Sequence, residues 1–345
     1  MNGGGSVPLA VNRFALPIKA YTYGWGYGTA LIPMPGTASV LLSLPSNGSR
    51  CPWCVVDLNT GATVRGTAMP GDLRAAVFAS DAEDPRPWVL ATYGLGRLEL
   101  EPRPRITDVT RKGIGKYQAE LFDVGHGLLG ISHRMSKSLL LVSASDGSRV
   151  KRLAMPGAHL AVPLPNGHMR FLGLHHGGAC DVDVSAAKVV RRYQVPHGTD
   201  ARLAGDRIVA LVGERREVRP VRAGETPVPG APIVMLAGPD DGTDPDLGFW
   251  VDTDEIVVLD ADTMEVRRRV PAPPSAVRVL GEDSTGRIVV GTNRGFALLS
   301  PDSLHVVTAY QRPYEITAAV SCPGTDMVAV LVDDPEDRAL YTLRW

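Results

Sequence analysis

The feature that most constrains the fold of this chain is an internal repeat of about 40 residues. Each copy contains a short apolar segment, a polar turn of two to four residues, and a second segment that opens with valine. The clearest copy is Ile256-Val-Val-Leu-Asp-Ala-Asp-Thr-Met-Glu-Val266. The aligned valines, at positions 64, 150, 189, 266 and 306, lie 86, 39, 77 and 40 residues apart, and a further copy around Arg97 divides the longest interval.

A period of about 40 to 45 residues with four short strands per unit is typical of β-propellers. A Pro/Gly break follows the second segment of several copies, as in Met155-Pro-Gly and Val195-Pro-His-Gly. Proline cannot donate a ladder hydrogen bond, so it suits the outer edge where the chain leaves one blade for the next. The sequence therefore predicts an all-β fold, a seven-bladed β-propeller of four-stranded antiparallel sheets, as a single domain over residues 1–345.

Eight blades are the alternative, because the 77 residues between Val189 and Val266 fit one blade with a long insertion or two compressed blades. We favour one blade, the fifth, with an insertion over residues 213–253, since Arg215–Asp246 is rich in proline, glycine and charge. The last copy supplies only three strands. We expect Leu9–Ile18 to complete that sheet and close the ring, which removes exposed sheet edges, and residues 1–8 to be a flexible N-terminus.

The units Ile256–Pro271 and Cys54–Gly71 resemble the repeats of the YVTN family, which is related to WD-repeat propellers and to the amine-dehydrogenase large subunit. The likeness lies in the apolar strand, the turn of the Asp-x-x-Thr type, the valine-rich strand and the proline break. The resemblance implies the propeller architecture. Members of this superfamily include scaffolds, binding proteins and enzymes, so it does not choose among these functions.

Charge and composition exclude some partners. The 36 basic and 37 acidic residues give no basic excess, which argues against nucleic acid as a partner. No segment has the roughly 18 uninterrupted apolar residues of a membrane-spanning helix, and four cysteines are too few for a disulfide framework. We expect a cytoplasmic monomer without membrane contact, cofactor or metal.

In a propeller, the loops joining second to third strands open on the same face as the crossings between blades. In this chain that face receives the longer and chemically richer segments, so we expect function there. One of them is Tyr21-Thr-Tyr-Gly-Trp-Gly-Tyr27, whose aromatic residues would share one side of an extended chain. They would either stack on a planar or sugar-like ligand or pack between the last and first blades.

A second segment on that face is Leu174-His175-His176-Gly-Gly-Ala-Cys180. Two histidines and a cysteine could contribute to a metal site with His197, Asp200 and His133 of neighbouring loops. No His-x-x-x-His or paired cysteine motif completes a tetrahedral set, however, so ordinary polar loop residues or a pH-sensitive contact are the favoured interpretation.

Two further features have structural alternatives. The Cys51-Pro-Trp-Cys54 pair enters a strand and lacks the helix N-terminus that activates a thioredoxin-type thiol, which favours a structural role. The insertion begins basic and ends acidic, and its Asp240–Asp246 run lacks the glutamate of a calcium loop. It is either a lid or partner-binding arm, or a solvated loop.

These features predict a binding propeller that presents a small-molecule or peptide site at the channel mouth. Its predicted ligand-binding residues are Tyr23, Trp25, Tyr27, His133, His175, His176, His197 and Tyr314. The alternative is a lyase, cyclase or hydrolase acting at the same mouth. Its candidate catalytic residues are His175, His176, His197, Asp200 and Glu315. A second alternative is a scaffold that binds a protein partner through residues 213–253.

Overall fold

The fold is a ring of seven four-stranded antiparallel sheets, as a computed structural model shows. The structure describes residues 10–16, 30–34, 36–43, 50–67, 69–70, 73–80, 86–91, 94–100, 103–110, 119–134, 136–217, 249–282, 285–311, 316–322, 325, 327–333 and 338–344. In these ranges no helix has the length and apolar character needed to cross a membrane. The propeller predicted from the repeat is confirmed.

The strands follow one another in chain order. Blades 1 to 3 and the segments around them contain β1 (Ala10–Ala15), β2 (Ala30–Pro33), β3 (Ser39–Ser43), β4 (Arg50–Cys51), β5 (Trp53–Asp57), β6 (Thr63–Arg65), β7 (Met69–Pro70), β8 (Leu73–Val77), β9 (Trp88–Ala91), β10 (Gly94–Glu99), β11 (Arg105–Thr110), β12 (Ala119–Gly125), β13 (Leu128–His133), β14 (Ser138–Ser143) and β15 (Arg149–Ala154). Blades 4 to 7 contain β16 (Leu160–Pro163), β17 (Met169–Gly173), β18 (Gly178–Asp183), β19 (Lys188–Gln194), β20 (Gly198–Ala204), β21 (Arg207–Glu217), β22 (Phe249–Asp260), β23 (Val266–Pro271), β24 (Ala276–Glu282), β25 (Ile288–Thr292), β26 (Gly295–Leu299), β27 (Val306–Gln311), β28 (Ala318–Ser321), β29 (Met327–Asp333) and β30 (Arg338–Arg344). A 3₁₀ turn, Leu174–His176, joins β17 to β18.

The seven sheets are β2-β3-β5-β6, β8-β9-β10-β11, β12-β13-β14-β15, β16-β17-β18-β19, β20-β21-β22-β23, β24-β25-β26-β27 and β28-β29-β30-β1. The N-terminal strand β1 pairs with β30, from Ala10 opposite Arg344 to Ala15 opposite Ala339. The predicted closure of the last blade by the N-terminus is therefore confirmed. Outside the blades, β4 and β7 form a short two-stranded ladder.

The core consists of seven apolar clusters, and each lies between two neighbouring blades. The cluster between blades 7 and 1 joins Leu31 and Val40 to Ala329 and Leu331, so the ring is closed by packing as well as by β1. The first strands of adjacent blades also contact one another around the axis. Burial of apolar area on both faces of every sheet explains why the middle strands are nearly continuous apolar runs.

One blade, β20-β21-β22-β23, fills the interval between Val189 and Val266, so the eight-bladed alternative is wrong. Its second and third strands are long. The ladder continues from Gly213 opposite Thr253 to Glu217 opposite Phe249, so both ends of the predicted 213–253 insertion lie in strands. Residues 218–248 and residues 1–8 lie outside the described residues.

The Asp-x-x-Thr turn of the repeat has a direct structural cause. In blade 1, Asp57 Oδ1 accepts hydrogen bonds from the backbone amides of Asn59 (2.9 Å) and Thr60 (2.8 Å). In blade 5, Asp260 Oδ1 accepts from Asp262 (2.8 Å) and Thr263 (2.7 Å) in the same way. An aspartate that caps its own turn fixes the connection between third and fourth strands, which is why the sequence pattern recurs.

Buried arginines connect neighbouring blades through the same turns. Arg170 of β17 donates to the carbonyl oxygens of residues 261 and 262 in blade 5, and its other nitrogens bind Asp181 at 2.6 and 2.8 Å. Arg97 of blade 2 donates to the carbonyl of residue 144 in blade 3. Arg207 of blade 5 donates to the carbonyl of Pro301 in blade 6 at 2.7 Å. Each guanidinium thus provides a hydrogen-bond donor for the carbonyl of a turn in the next blade.

Candidate binding site at the channel mouth

Two histidine-bearing segments meet on the face that the sequence favoured. His175 and His176 lie in the turn between β17 and β18, with their rings 5.8 Å apart, and His197 lies on the crossing from β19 to β20. His197 Nδ1 is 3.2 Å from the carbonyl oxygen of His175. Gly177 has a φ of +62°, and a Cβ there would stand 2.8 Å from the His197 ring, so this contact requires glycine.

Asp200 follows on β20, the innermost strand of blade 5, and is buried with 1% exposure. Its Oδ2 accepts the backbone amide of Val279 in blade 6 at 2.7 Å. Its Oδ1 has no hydrogen-bond partner in the described part of the chain. Burial alone would raise the pKa of Asp200, but Arg202, Arg278 and Arg134 hold it below its ordinary value. Asp200 is therefore an anion whose charged neighbours are chiefly arginines.

Arg134, in the turn after β13, reaches from blade 3 to blade 5. Its Nε and Nη2 bind Glu120 of β12 at 2.9 and 2.6 Å, and its Nη1 lies 3.3 Å from the carbonyl oxygen of Thr199. Blades 3 and 5 are not neighbours in the ring, so a contact between them is made at the centre. Burial alone would lower the pKa of Arg134, but Glu120 and Asp200 raise it above its ordinary value.

His159 lies near Arg134 and Asp200, on the crossing from β15 into blade 4. It is 3% exposed, and neither ring nitrogen has a hydrogen-bond partner among the described residues. Burial lowers the pKa of His159 to about 3, and the positive charges of Arg134 and Arg202 act in the same direction. The imidazole is therefore neutral at physiological pH.

Two further arginines complete the group. Arg202 lies two residues after Asp200 on β20, and Arg278 lies on β24, the innermost strand of blade 6. Arg202 Nη1 is 3.3 Å from the carbonyl of Ala201, and Arg278 Nη1 is 3.5 Å from the carbonyl of Ala319 in blade 7. We call the whole set the channel cluster. It comprises Glu120, Arg134, His159, Asp200, Arg202 and Arg278.

Several predicted site residues are not in this cluster. Residues 17–29, with Tyr23, Trp25 and Tyr27, and residues 312–315, with Tyr314 and Glu315, lie outside the described residues. His133 ends β13, and its carbonyl accepts the amide of Ser136. Across the described ranges no three His, Cys, Asp or Glu side chains are grouped as metal ligands would be.

The cysteines are structural where they are described. Cys54 lies in β5 and packs in the core between blades 7 and 1, and burial raises the pKa of its thiol to about 12. Cys180 lies in β18, where burial also raises its pKa. The side chain of Cys51 lies outside the described residues. These thiols would be nearly fully protonated at neutral pH and poor ligands or nucleophiles.

Sequence reasoning missed most of the channel cluster. It named Asp200 but not Arg134, His159, Arg202, Arg278 or Glu120. One signal was present: the breaks Pro156-Gly-Ala-His159 and Pro196-His197 both carry a histidine into a crossing that enters the favoured face. A histidine just after such a proline break lies at the start of an innermost strand and hence near the axis.

No protein-family model and no curated protein matches the chain. Solved structures do match it. The WD40 domain of Neurospora crassa Pan2 is 13% identical, over 92% of this chain and 87% of that one, with a TM-score of 0.59. A catalytically inactive virginiamycin B lyase from Staphylococcus aureus, crystallised with quinupristin, is 8% identical over 98% and 100%, with a TM-score of 0.62. A chain of a mitotic checkpoint complex is 10% identical over 97% and 91%, with a TM-score of 0.61. Such identities concern the fold alone, and the fold is that of the WD-repeat-like seven-bladed β-propellers.

Proposed function

We propose that this chain is a binding propeller whose ligand, a small molecule or a peptide, is held at the channel mouth. One observation carries the proposal: a charged cluster, in which Asp200 and His159 are buried and the arginines are partly exposed, is assembled near the axis from blades 3, 4, 5 and 6. WD40 neighbours among the solved structures support binding or scaffold roles for the fold in general.

The energetics of the channel cluster support binding over packing. Moving charged groups out of water costs several kcal/mol per ion after relaxation, and an apolar replacement of similar volume is often neutral or stabilising. The blades are held together by apolar clusters and by arginines such as Arg170, whose partners are a carboxylate, a hydroxyl and two backbone carbonyls. Charges that are costly and unnecessary for the ring are typical of a site that has a ligand.

The geometry also suits a specific site. Three first strands, one turn and one crossing converge in the channel cluster, so four of its six side chains are positioned by sheets and the other two lie next to strand ends. Arg134 links blades 3 and 5, and the ring of His197 packs against Gly177. Side chains fixed in this way lose little entropy when a ligand binds.

A screen for binding tests the proposal. A panel of anionic, neutral and cationic metabolites and short peptides is measured by thermal shift, and the hits are measured by calorimetry. We expect hits that Arg134→Gln weakens at least tenfold, because this change breaks the link between Glu120 and Thr199. The matched control is Arg152→Gln, an exposed residue on β15 of the same blade, which should bind as the wild type does. Absence of hits, or equal binding by both variants, would contradict a site at the mouth.

A second candidate function is a protein-interaction scaffold. It is favoured by neighbours such as the chain of the mitotic checkpoint complex, and the predicted contact segment is 213–253. Replacing residues 218–248 with an Asn-Gly turn should keep the described ends of β21 and β22 paired, because Glu217 lies opposite Phe249 and a two-residue loop can join them. A scaffold loses its partner on this deletion and keeps small-ligand binding, whereas a lid over the channel mouth changes small-ligand affinity.

A further inference from the structure

We infer that the ligand at the channel mouth carries an oxyanion group, a carboxylate or a phosphate, and that Arg202 and Arg278 bind it. The inference rests on the proposed function, since it names the chemistry of the ligand for the same site. It is argued from the balance of charge, from the partners of each guanidinium and from their position at the axis.

The charges in the channel cluster do not cancel. Three guanidinium groups, of Arg134, Arg202 and Arg278, face two carboxylates, and His159 is neutral. Glu120 is already committed to Arg134 through two hydrogen bonds. That leaves one carboxylate, Asp200, for two arginines. The described part of the site therefore has an excess of positive charge beside the buried carboxylate of Asp200.

The two remaining arginines are also weakly bonded. Among the described residues, each has one hydrogen bond, Arg202 to a carbonyl at 3.3 Å and Arg278 to a carbonyl at 3.5 Å. By contrast, Arg170 makes short bonds to Asp181, to Tyr193 and to blade 5. A guanidinium has five N–H donors in a planar fork that matches a carboxylate or phosphate. Both side chains are partly exposed, so their unused donors can be reached from the channel.

Asp200 explains how two arginines stay together without a ligand. It is buried against blade 6 by its bond to the amide of Val279, and its second oxygen accepts no hydrogen bond from the described residues. Its charge attracts Arg202 and Arg278 without using their donors. The repulsion between the arginines is still felt: burial, Arg134 and Arg202 together lower the pKa of Arg278, against the opposing effect of Asp200 and Glu120. An anion bound between the two forks would relieve this repulsion.

The test uses the full chain and simple probes. Sodium phosphate, sodium acetate and sodium succinate are titrated at constant ionic strength, with sodium chloride making up the difference, and glycerol and putrescine serve as neutral and cationic probes. Melting temperature and calorimetric dissociation constants are measured for the wild type, Arg202→Gln and Arg278→Gln. The matched control is Arg268→Gln, an exposed arginine on β23, the outer strand of the same blade as Arg202.

We expect a saturable rise in melting temperature with phosphate or with a carboxylate, and a dissociation constant at least tenfold higher in either channel variant. The control should match the wild type. The phosphate and carboxylate arms show which oxyanion is preferred. If a glutamine variant does not fold, Arg202→Lys and Arg278→Lys retain the charge but lose the fork, and weaker binding is again expected.

Two results would overturn the inference, and they differ in what they say of the site. If no anion exceeds sodium chloride while a neutral or cationic probe binds in an Arg134-dependent way, the oxyanion chemistry is wrong and the binding site stands. If nothing binds at the mouth, both fail. Anion binding that both channel variants retain would also refute the assignment to Arg202 and Arg278.

Discussion

The buried histidine at the axis gives a quantitative prediction about pH. His159 is neutral in the folded protein because burial and nearby arginines lower its pKa to about 3. In the unfolded chain a histidine has a pKa of about 6.5. Between these values the unfolded state binds a proton that the folded state does not. Folding stability due to this residue is therefore fully present above about pH 7 and is lost as the pH falls.

The magnitude follows from the two pKa values. At pH 5 the pH is about 1.5 units below the pKa of the unfolded histidine. Each unit stabilises the protonated unfolded chain by about 1.4 kcal/mol. Between pH 7 and pH 5 the free energy of unfolding should therefore fall by about 2 kcal/mol through His159 alone. Asp200 opposes the low pKa, whereas Arg134, Arg202 and His175 lower it further, so burial and net positive surroundings together set the effect.

The variant to test is His159→Leu, which removes the titrating imidazole and keeps a similar side-chain volume. Urea unfolding followed by tryptophan fluorescence is measured from pH 5 to pH 8. The wild type should lose about 2 kcal/mol more than the variant over that range. His305→Leu, at an exposed turn, should follow the wild type. If wild type and His159→Leu lose stability in parallel, or if the ring protons of His159 titrate near pH 6.5 by NMR, the reasoning is refuted.

Three further predictions concern structural residues. Arg170→Met leaves Asp181 buried without its charged partner and should reduce the free energy of unfolding by about 3 to 5 kcal/mol, measured by urea unfolding. A loss below about 1 kcal/mol would contradict the role of Arg170 as the charged partner of Asp181. Gly157→Ala would put a Cβ 2.0 Å from a backbone carbonyl oxygen and should reduce the free energy of unfolding by at least about 1 to 3 kcal/mol. The control Gly291→Ala, where the nearest atom is 3.5 Å away, should reduce it little. Equal melting temperatures for the two variants would contradict this prediction. Cys54 should resist iodoacetamide at pH 8 in the native protein and react in denaturant, as peptide mapping can show; rapid native alkylation would mean that its thiol is accessible.

Much of the fold could be predicted because the repeat encodes local structure. The Asp-x-x-Thr turn occurs at Asp57–Thr60 and at Asp260–Thr263 for a reason confined to a few residues: the aspartate accepts hydrogen bonds from the amides of its own turn. The closure by Ala10–Ala15 followed from counting, since a three-stranded last copy needs a fourth strand. The number of blades between Val189 and Val266 was ambiguous because one blade with a long insertion and two compressed blades have similar lengths.

The candidate site was predicted less well, because its charges come from different blades. A face could be chosen from loop lengths, and His175 and His197 do meet there. Nothing in the sequence near Arg278 shows that Asp200, in another blade, lies beside it. Such pairing depends on the position of each residue along its first strand and on the rotation between blades, and neither is visible in a single copy of the repeat.

The same residue type has two roles in this ring, and the contacts tell them apart. Arg97 and Arg170 lie between blades, have several short hydrogen bonds to turn carbonyls or to a carboxylate, and stack on an aromatic ring. Arg202 and Arg278 lie at the axis, have one long hydrogen bond each among the described residues, and share a single buried carboxylate. A guanidinium that only stabilised the fold would be expected to use its donors inside it, as Arg97 and Arg170 do, whereas the donors of the partly exposed Arg202 and Arg278 stay open to the channel. The weakly bonded pair is therefore best explained by a partner that enters from the channel.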